Sequence, residues 1–506
     1  MDKIVLVSFN GYPQTPSAFL PDNGLGGLAA CLIQAGHEPL ILDFNTPESM
    51  KRLYGKSPEE LENNQNQYSR EIAEIILDQQ PSLVGMKLWT GEGFRVSTIT
   101  ADWLKKLNPK LPVCGGGPHV DIFGEEVFEV THSFDFLSSG EGEETIVELA
   151  NFIKGKQDIT RVPNLMYMSN GAVKKNKQQR IADLDALPVP TYDTKVYPAF
   201  EEKIRILVTE WTRGCPYQCN FCVHPAKSGI VSRDRSTERI VQELETYKTT
   251  YGAHVFRSGD SDTSRPALEG VAEKLASQEY GFTYAGTTHM NNIRSDHLAA
   301  MRKAGYASIF FGMESGSQEI LDYSIDKKLK KETIRRVVTD TKAAGITVIT
   351  SVIVPAPGET EKTKKETLEL LVETRPDSVP VSIPIIAPHS KWYNQAEKYG
   401  IRLTEQHNRE LMYFTPKLLL APSQWDRLSY QVDGKSFLEL ARESNDFAQS
   451  LEEHGILTQV IDEIILMASC CGTDPRTFRD NMRKHLATGD YKEVRKTIES
   501  INQTLS

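Results

Sequence analysis

Along roughly the first four hundred residues, short runs rich in Val, Ile and Leu alternate with segments whose apolar positions recur every three to four residues. That alternation predicts parallel strands covered on both faces by helices. Strands are expected at 3–9, 38–44, 82–88, 111–115 and 134–138, with helices at 27–34 and 94–106 between them. Asn170-Gly171 marks a hairpin, and Pro188 and Pro190 disfavour helix in a connector that follows. The alternation resumes with strands expected at 205–210, 254–257, 283–286, 308–312, 347–354 and 378–383. Beyond about residue 400 the strand pattern fades, and helices are expected at 435–454, 459–470 and 475–486. The expected domains are therefore 1–185, a linker at 186–200, 201–400, and a helical domain at 401–506.

Composition narrows the class. The formal net charge of −10 is spread along 506 residues without a basic stripe, which argues against a nucleic-acid footprint. The one basic cluster, Lys174-Lys175-Asn176-Lys177, reads as a solvated hairpin turn. Seven cysteines, three of them in one motif, fit a reducing compartment. The start Met1-Asp2-Lys3-Ile4 enters a strand directly and lacks the zones of a signal peptide, and no run reaches the length of a spanning helix. A cytoplasmic location is expected.

The chemistry concentrates in Arg213-Gly214-Cys215-Pro216-Tyr217-Gln218-Cys219-Asn220-Phe221-Cys222. The spacing gathers three thiols in one tight loop at a strand end. Electron-transfer clusters and structural zinc sites normally take four protein ligands. With three, one iron of a cluster stays open for something else. The competing arrangement is a zinc site of these cysteines and His224. The segment resembles the radical S-adenosylmethionine (SAM) enzymes. The resemblance implies a [4Fe-4S] cluster on Cys215, Cys219 and Cys222 whose open iron takes the amino and carboxylate groups of SAM, with Phe221 near the adenine.

Two strand exits upstream are glycine-rich: Gly115-Gly116-Gly117-Pro118-His119 and Gly140-Glu141-Gly142. Singly, each reads as a tight turn. As an ordered pair ahead of the cysteines they resemble the cobalamin-binding domain of one large class of radical SAM enzymes. The Asp-x-His-x-x-Gly motif that supplies a lower cobalt ligand in many mutases is missing. The resemblance thus implies cobalamin with its dimethylbenzimidazole tail displaced and no such histidine, and gives His119 a loop role.

The resemblance extends through the second strand–helix region and implies a partial (β/α)6 TIM-type barrel, whose chemistry lies at the carboxyl ends of its strands. Glu314 and Ser315, in Phe311-Gly312-Met313-Glu314-Ser315-Gly316, match an element that helps hold SAM. Asp260 and Asp262 both stand where the family contacts the SAM amino group, and Asp260 is preferred. Arg235 is the candidate for the SAM carboxylate, against a surface arginine. Pro355-Ala356-Pro357-Gly358-Glu359-Thr360 resembles a further family element with proline where glycine is usual, and reads equally as a capped helix start. Cys470 and Cys471 read as buried small residues. Trp89, His289, His389 and Trp392 are candidate substrate contacts by position, each competing with a packing role.

The fold class expected is α/β: an N-terminal doubly wound parallel sheet, a partial barrel and a C-terminal helical domain. The function implied by the resemblance is reductive cleavage of SAM to methionine and a 5′-deoxyadenosyl radical, with methylcobalamin then supplying a methyl group to a carbon, less often phosphorus, centre of a small molecule. A radical cyclase, ring-contraction or rearrangement enzyme with the same cofactors is the alternative, and a non-catalytic cobalamin or iron–sulfur sensor a third. The partners implied are a small-molecule substrate and an electron donor such as flavodoxin or ferredoxin, with no nucleic acid and no spanning membrane segment.

Overall fold

Strand β1 (Lys3–Ser8) is buried on both faces from Ile4 onward, as a run without polar alternation requires. It lies one strand in from the edge of a seven-stranded sheet, between β2 (Glu38–Asp43) and β3 (Leu83–Lys87), with β4 (Val113–Gly116), β5 (Phe136–Ser138), β6 (Leu165–Ser169) and β7 (Ala172–Lys175) beyond. The order is β2-β1-β3-β4-β5-β6-β7. β1 to β5 pair in parallel, and the β6–β7 hairpin at Asn170-Gly171 adds antiparallel to β5. The computed structural model describes residues 3–55, 57–421 and 424–505, so the chain start at Met1 and Asp2 lies outside the described residues.

This sheet belongs to the first of two compact units, Met1–Ile204 with Arg409–Leu419 and Arg483–Glu499. Gly91 shows how the later segment is seated. Its φ is +81°, a Cβ there would stand 2.1 Å from Thr415 Oγ1, and its amide donates to Met412 O at 2.8 Å. The helix Glu92–Leu107 starts directly after it.

The second unit comprises Arg205–Asn408, Leu420–Met482 and Ser500–Ser506. It holds β8 (Ile206–Thr209), the short antiparallel ribbon of β9 (Thr212–Arg213) and β10 (Arg233–Asp234), then β11 (Val255–Ser258), β12 (Thr283–Thr287), β13 (Tyr306–Glu314), β14 (Thr347–Ile353) and β15 (Val381–Ser382). β8 and β11 to β15 form an all-parallel sheet in sequential order. Helices such as Thr237–Tyr251, Arg265–Ala276, Lys331–Ala343 and Glu361–Thr374 connect its strands. This is the partial barrel expected. The six strands fall within a few residues of their expected ranges.

Two features differ from the sequence reading. A small sheet of β16 (Ile401–Arg402), β17 (Gln431–Val432) and β18 (Lys435–Ser436) stands in the region read as helical; two-residue strands have no period to read. A last helix, Tyr491–Thr504, also went unread. The helix Asp462–Cys470 is fixed to β11 by Arg257, whose guanidinium reaches Asp462 Oδ2 at 3.0 Å and Glu463 Oε1 at 2.9 Å. Burial and the Asp462 charge push the Glu463 carboxyl up to about 8, against the pull of Arg257.

Candidate active site

The cysteine loop leaves β9 through Gly214, at φ +91°, where a Cβ would lie 2.2 Å from Val231 O. Only glycine lets the returning chain pass this close. The Cys215 amide then donates to Gly229 O at 3.1 Å and that of Cys222 to Cys219 O at 3.1 Å. Cys219 is buried, Cys215 and Cys222 half-buried, and all three are free thiols. Burial first, and then neighbouring negative groups, Asp262 for Cys215 and Cys222 for Cys219, push Cys215 up to about 11 and Cys219 to about 12. Among the described residues no three His, Cys, Asp or Glu side chains converge on one ion. His224 is turned to Ser261, its Nδ1 2.8 Å from Ser261 Oγ. A cubane cluster takes each thiolate on a different iron, so its ligands stand apart in a way that single-ion ligands do not.

Asn220, between the second and third cysteines, pins the loop. Its amide donates to Ile325 O at 2.9 Å and its side chain to Tyr323 O and Ser324 O at 3.3 and 3.1 Å. Trp392 continues this anchor: its indole donates to Ser324 O at 2.9 Å, its amide to Asn220 O at 2.9 Å, and Phe221 stands 5.8 Å away ring to ring. Trp392 is therefore a packing residue. Tyr217 stacks on His289 at 3.7 Å. Asn291 N donates to His289 Nδ1 at 3.1 Å, which leaves Nε2 as the donor to Lys327 O at 3.0 Å. Burial and the Lys327 ammonium lower His289 to about 3, so the ring is neutral.

The strand exits bring the candidate acids to the loop unequally. Asp260 Oδ1 accepts from the amides of Trp211 and Thr212 at 2.8 and 3.3 Å, and Oδ2 from Thr263 Oγ1 at 2.6 Å. Both oxygens of the preferred aspartate are thus engaged in holding the β8 exit. Asp262 Oδ1 accepts from His289 N at 2.7 Å and Asn292 Nδ2 at 3.0 Å, and its charge raises the Cys215 thiol after burial does. Of the two, Asp262 is the neighbour of the cysteines. Arg235 is buried, donates through Nε to Glu210 O at 3.0 Å and faces Glu243 at 3.7 Å. Ser315 is also spent internally, its Oγ 3.2 Å from Thr367 Oγ1 and accepting from Ser317 N at 3.1 Å.

Glu314 does face the loop. It sits at φ +67° beside a register shift in β13, and its Oε1 accepts from Lys327 Nζ at 2.7 Å. Gly312 makes room for that pair, since a Cβ there would lie 2.2 Å from both atoms. Lys327 went unread because it lies in Asp326-Lys327-Lys328-Leu329-Lys330-Lys331, a run that looks like a solvated face. The turn Leu321–Ile325 and left-handed Asp326 take Lys327 inward, while Lys328 stays exposed.

In the first unit the carboxyl ends of β1 and β3 diverge at the point where strand order reverses, the usual ligand crevice of an open parallel sheet. Lys87 and Asp22 pair there at 2.8 Å, and Trp89 is 40% exposed with Lys87 Nζ 4.9 Å from its ring centre. At the neighbouring exits a Cβ on Gly140, φ +95°, would meet nothing within 4 Å, and one on Gly116 only Ser138, from 3.5 Å. Those two glycines leave their backbone open on that side. Gly115 serves the core instead, 2.7 Å from Leu88 on the same test, and Gly117, φ +102°, turns the chain into the helix Pro118–Phe123. A Cβ on Gly142 would meet only Leu28, from 3.4 Å. Glu141 ties the exit to the connector, accepting from Ile181 N at 2.6 Å. His119 is fully buried, stacked on Phe94 at 3.8 Å, and neither ring nitrogen has a hydrogen-bond partner.

Residues 209–371 match the Radical SAM superfamily, and residues 15–150 match the B12 binding domain. The chain belongs to the radical SAM enzymes that carry a B12-binding domain. It is 25% identical over 338 residues to an uncharacterized methyltransferase of Pyrococcus horikoshii, covering 66% of this chain and 73% of that one. It is 24% identical to an anaerobic magnesium-protoporphyrin IX monomethyl ester cyclase of Synechocystis, over 64% of this chain and 62% of the cyclase, so it spans just under two thirds of that relative. Its fold is that of the radical SAM methyltransferase TsrM from Kitasatospora setae, solved with cobalamin and a [4Fe-4S] cluster, at TM-score 0.71, 15% identity, 97% of this chain and 100% of that one. The cobalamin-dependent radical enzyme OxsB shares the fold at TM-score 0.64 and 16% identity, over 98% of this chain and 72% of that one.

The cofactors of this radical SAM enzyme are a [4Fe-4S] cluster, SAM and cobalamin. The residues present fit them: three free thiols share one glycine-closed loop, and Gly116 and Gly140 leave open backbone at the B12-type sheet edge. No described helix is long and apolar enough to cross a membrane.

Proposed function

We propose that this enzyme methylates an unactivated carbon, less often phosphorus, centre of a small metabolite or natural-product intermediate. When bound, the cluster and cobalamin supply reductive SAM cleavage and methyl carriage; the protein's part is to bind, orient and exclude competing reactions. Cys215, Cys219 and Cys222 hold the cluster, Glu314 and Asp262 stand beside it to orient the cosubstrate, and Phe221 offers an aromatic face to the adenine. Gly116 and Gly140 receive the corrin edge. The observation that carries the reading is the presence, in one chain, of both the free-thiol loop at a barrel strand exit and a glycine-edged sheet of B12-binding type. The methyltransferase names of the Pyrococcus relative and of a hopanoid C-2 methylase of Rhodopseudomonas palustris, 23% identical over 59% of this chain, support methyl transfer. A reducing cytoplasm and a flavodoxin- or ferredoxin-type donor complete the proposal.

The second reading, radical cyclisation or rearrangement without net methylation, is favoured by the cyclase relatives of Synechocystis and of Rubrivivax gelatinosus, the latter 24% identical over 71% of this chain. Reconstituted enzyme supplied with methyl-labelled SAM and a metabolite extract separates them. Transfer of label into one product of matching mass supports methylation. A SAM-dependent product without label, at unchanged carbon count, replaces it with the second reading.

A further inference from the structure

The site must accept an anionic carboxylate beside three thiolates, and the cation first expected to meet it, Arg235, is buried with Nε donating to the Glu210 carbonyl and Nη1 facing Glu243 at 3.7 Å. Lys327 is placed differently. Its side chain is only 12% exposed, and among the described residues Glu314 is the one group to which its ammonium is hydrogen-bonded, with the Cys219 and Cys222 thiols also near it. An ammonium has three donors, so two are left. A buried ion pair of this kind adds little stability, because desolvation offsets most of the attraction. Its position instead points to a ligand. The backbone leading to Lys327 is fastened to the cysteine loop: Ile325 O and Ser324 O accept from Asn220, and Lys327 O accepts from His289, which stacks on Tyr217. The charged ends of the pair occupy the space beside Gly312, and a Cβ there would stand 2.2 Å from both and make them shift.

We propose that Lys327 receives the carboxylate of the SAM cosubstrate, and that Glu314 holds the ammonium in place for it. The assignment rests on the SAM-dependent function proposed above. It also explains why one lysine of a run of four turns inward.

The test compares SAM with decarboxylated SAM on the cluster-loaded enzyme, by equilibrium dialysis and by the change each causes in the electron paramagnetic resonance of the reduced cluster. Wild type should prefer SAM. In Lys327→Met the preference should fall by about tenfold to a hundredfold, the range for losing one charge-assisted hydrogen bond, while decarboxylated SAM binds within about twofold of wild type on the same reasoning. Lys327→Arg should restore most of the preference. Equal weakening of both ligands in Lys327→Met overturns the assignment and leaves Lys327 a structural role. Should that variant not retain iron, the same ratio is read in Lys327→Gln. Failure of SAM to perturb the wild-type cluster would defeat the proposed function itself; a normal wild-type response with an unchanged ratio in the variants defeats the Lys327 assignment alone.

Discussion

Val231 O lies so near Gly214 that a Cβ on the glycine would stand 2.2 Å from it. The neighbouring chain sets the height of the loop on which Cys215, Cys219 and Cys222 are arranged. Gly214→Ala should therefore disturb the thiol arrangement first, through both the clash and the positive φ. Reconstituted protein should carry less than about half the wild-type iron and sulfide, because the steric misfit exceeds what a tight turn absorbs, with far-UV circular dichroism unchanged. Full cluster content in the variant would refute this account of the loop.

Asp260 and Asp262 should separate by phenotype. Asp260→Ala leaves the Trp211 and Thr212 amides and the Thr263 hydroxyl without their acceptor, at a cost of about 2 to 4 kcal/mol for the buried donors. Its urea midpoint should drop. Asp262→Asn should keep the midpoint near wild type but weaken the perturbation of the cluster spectrum by SAM. The opposite pattern would return the ligand role to Asp260.

His119 should not reach cobalt. Its ring is enclosed by Phe94 and Phe123, and burial lowers it to about 3, so it is neutral. His119→Phe should bind cobalamin, and its cob(II)alamin resonance should match that of wild type. Loss of a nitrogen hyperfine pattern in the variant would show that the histidine ligates.

Glu452 should contribute stability that acid removes. Burial raises its carboxyl, but hydrogen bonds from the Thr458 amide and hydroxyl and from Arg479 and Arg476 outweigh that and hold it at about 2, below its usual 4.5. A depressed carboxylate stabilises above its unfolded pKa and loses that stabilisation as pH falls through its folded value. Glu452→Gln should be less stable by about 1 to 2 kcal/mol at neutral pH, after allowance for solvent screening. The gap should close between pH 4.5 and 2. A gap constant over that window would mean that Glu452 acts by packing.

Periodicity made the strand–helix order legible because buried parallel strands tend to be continuously apolar, as Ile4 to Val7 and Val352 to Val354 are. The cysteine spacing was legible because a loop that gathers three thiols is local in sequence. The identity of the acid beside the cysteines was not. Asp260 and Asp262 are two residues apart, and only the amides of Trp211 and Thr212, brought over by β8, consume the first.

By itself, the amino-acid order determined two successive parallel α/β regions and a three-thiol loop, since these depend on local period and spacing. The folded chain alone decided that Lys327 pairs with Glu314, that Arg235 and Ser315 are spent internally, and that Arg409–Leu419 and Arg483–Glu499 join the first unit. Those outcomes rest on how turns and neighbouring elements bring groups together, the side-chain pairs at separations from eight residues for Arg235 and Glu243 to 52 for Ser315 and Thr367. Burial and hydrogen-bond competition settle them, and neither is written in any local pattern.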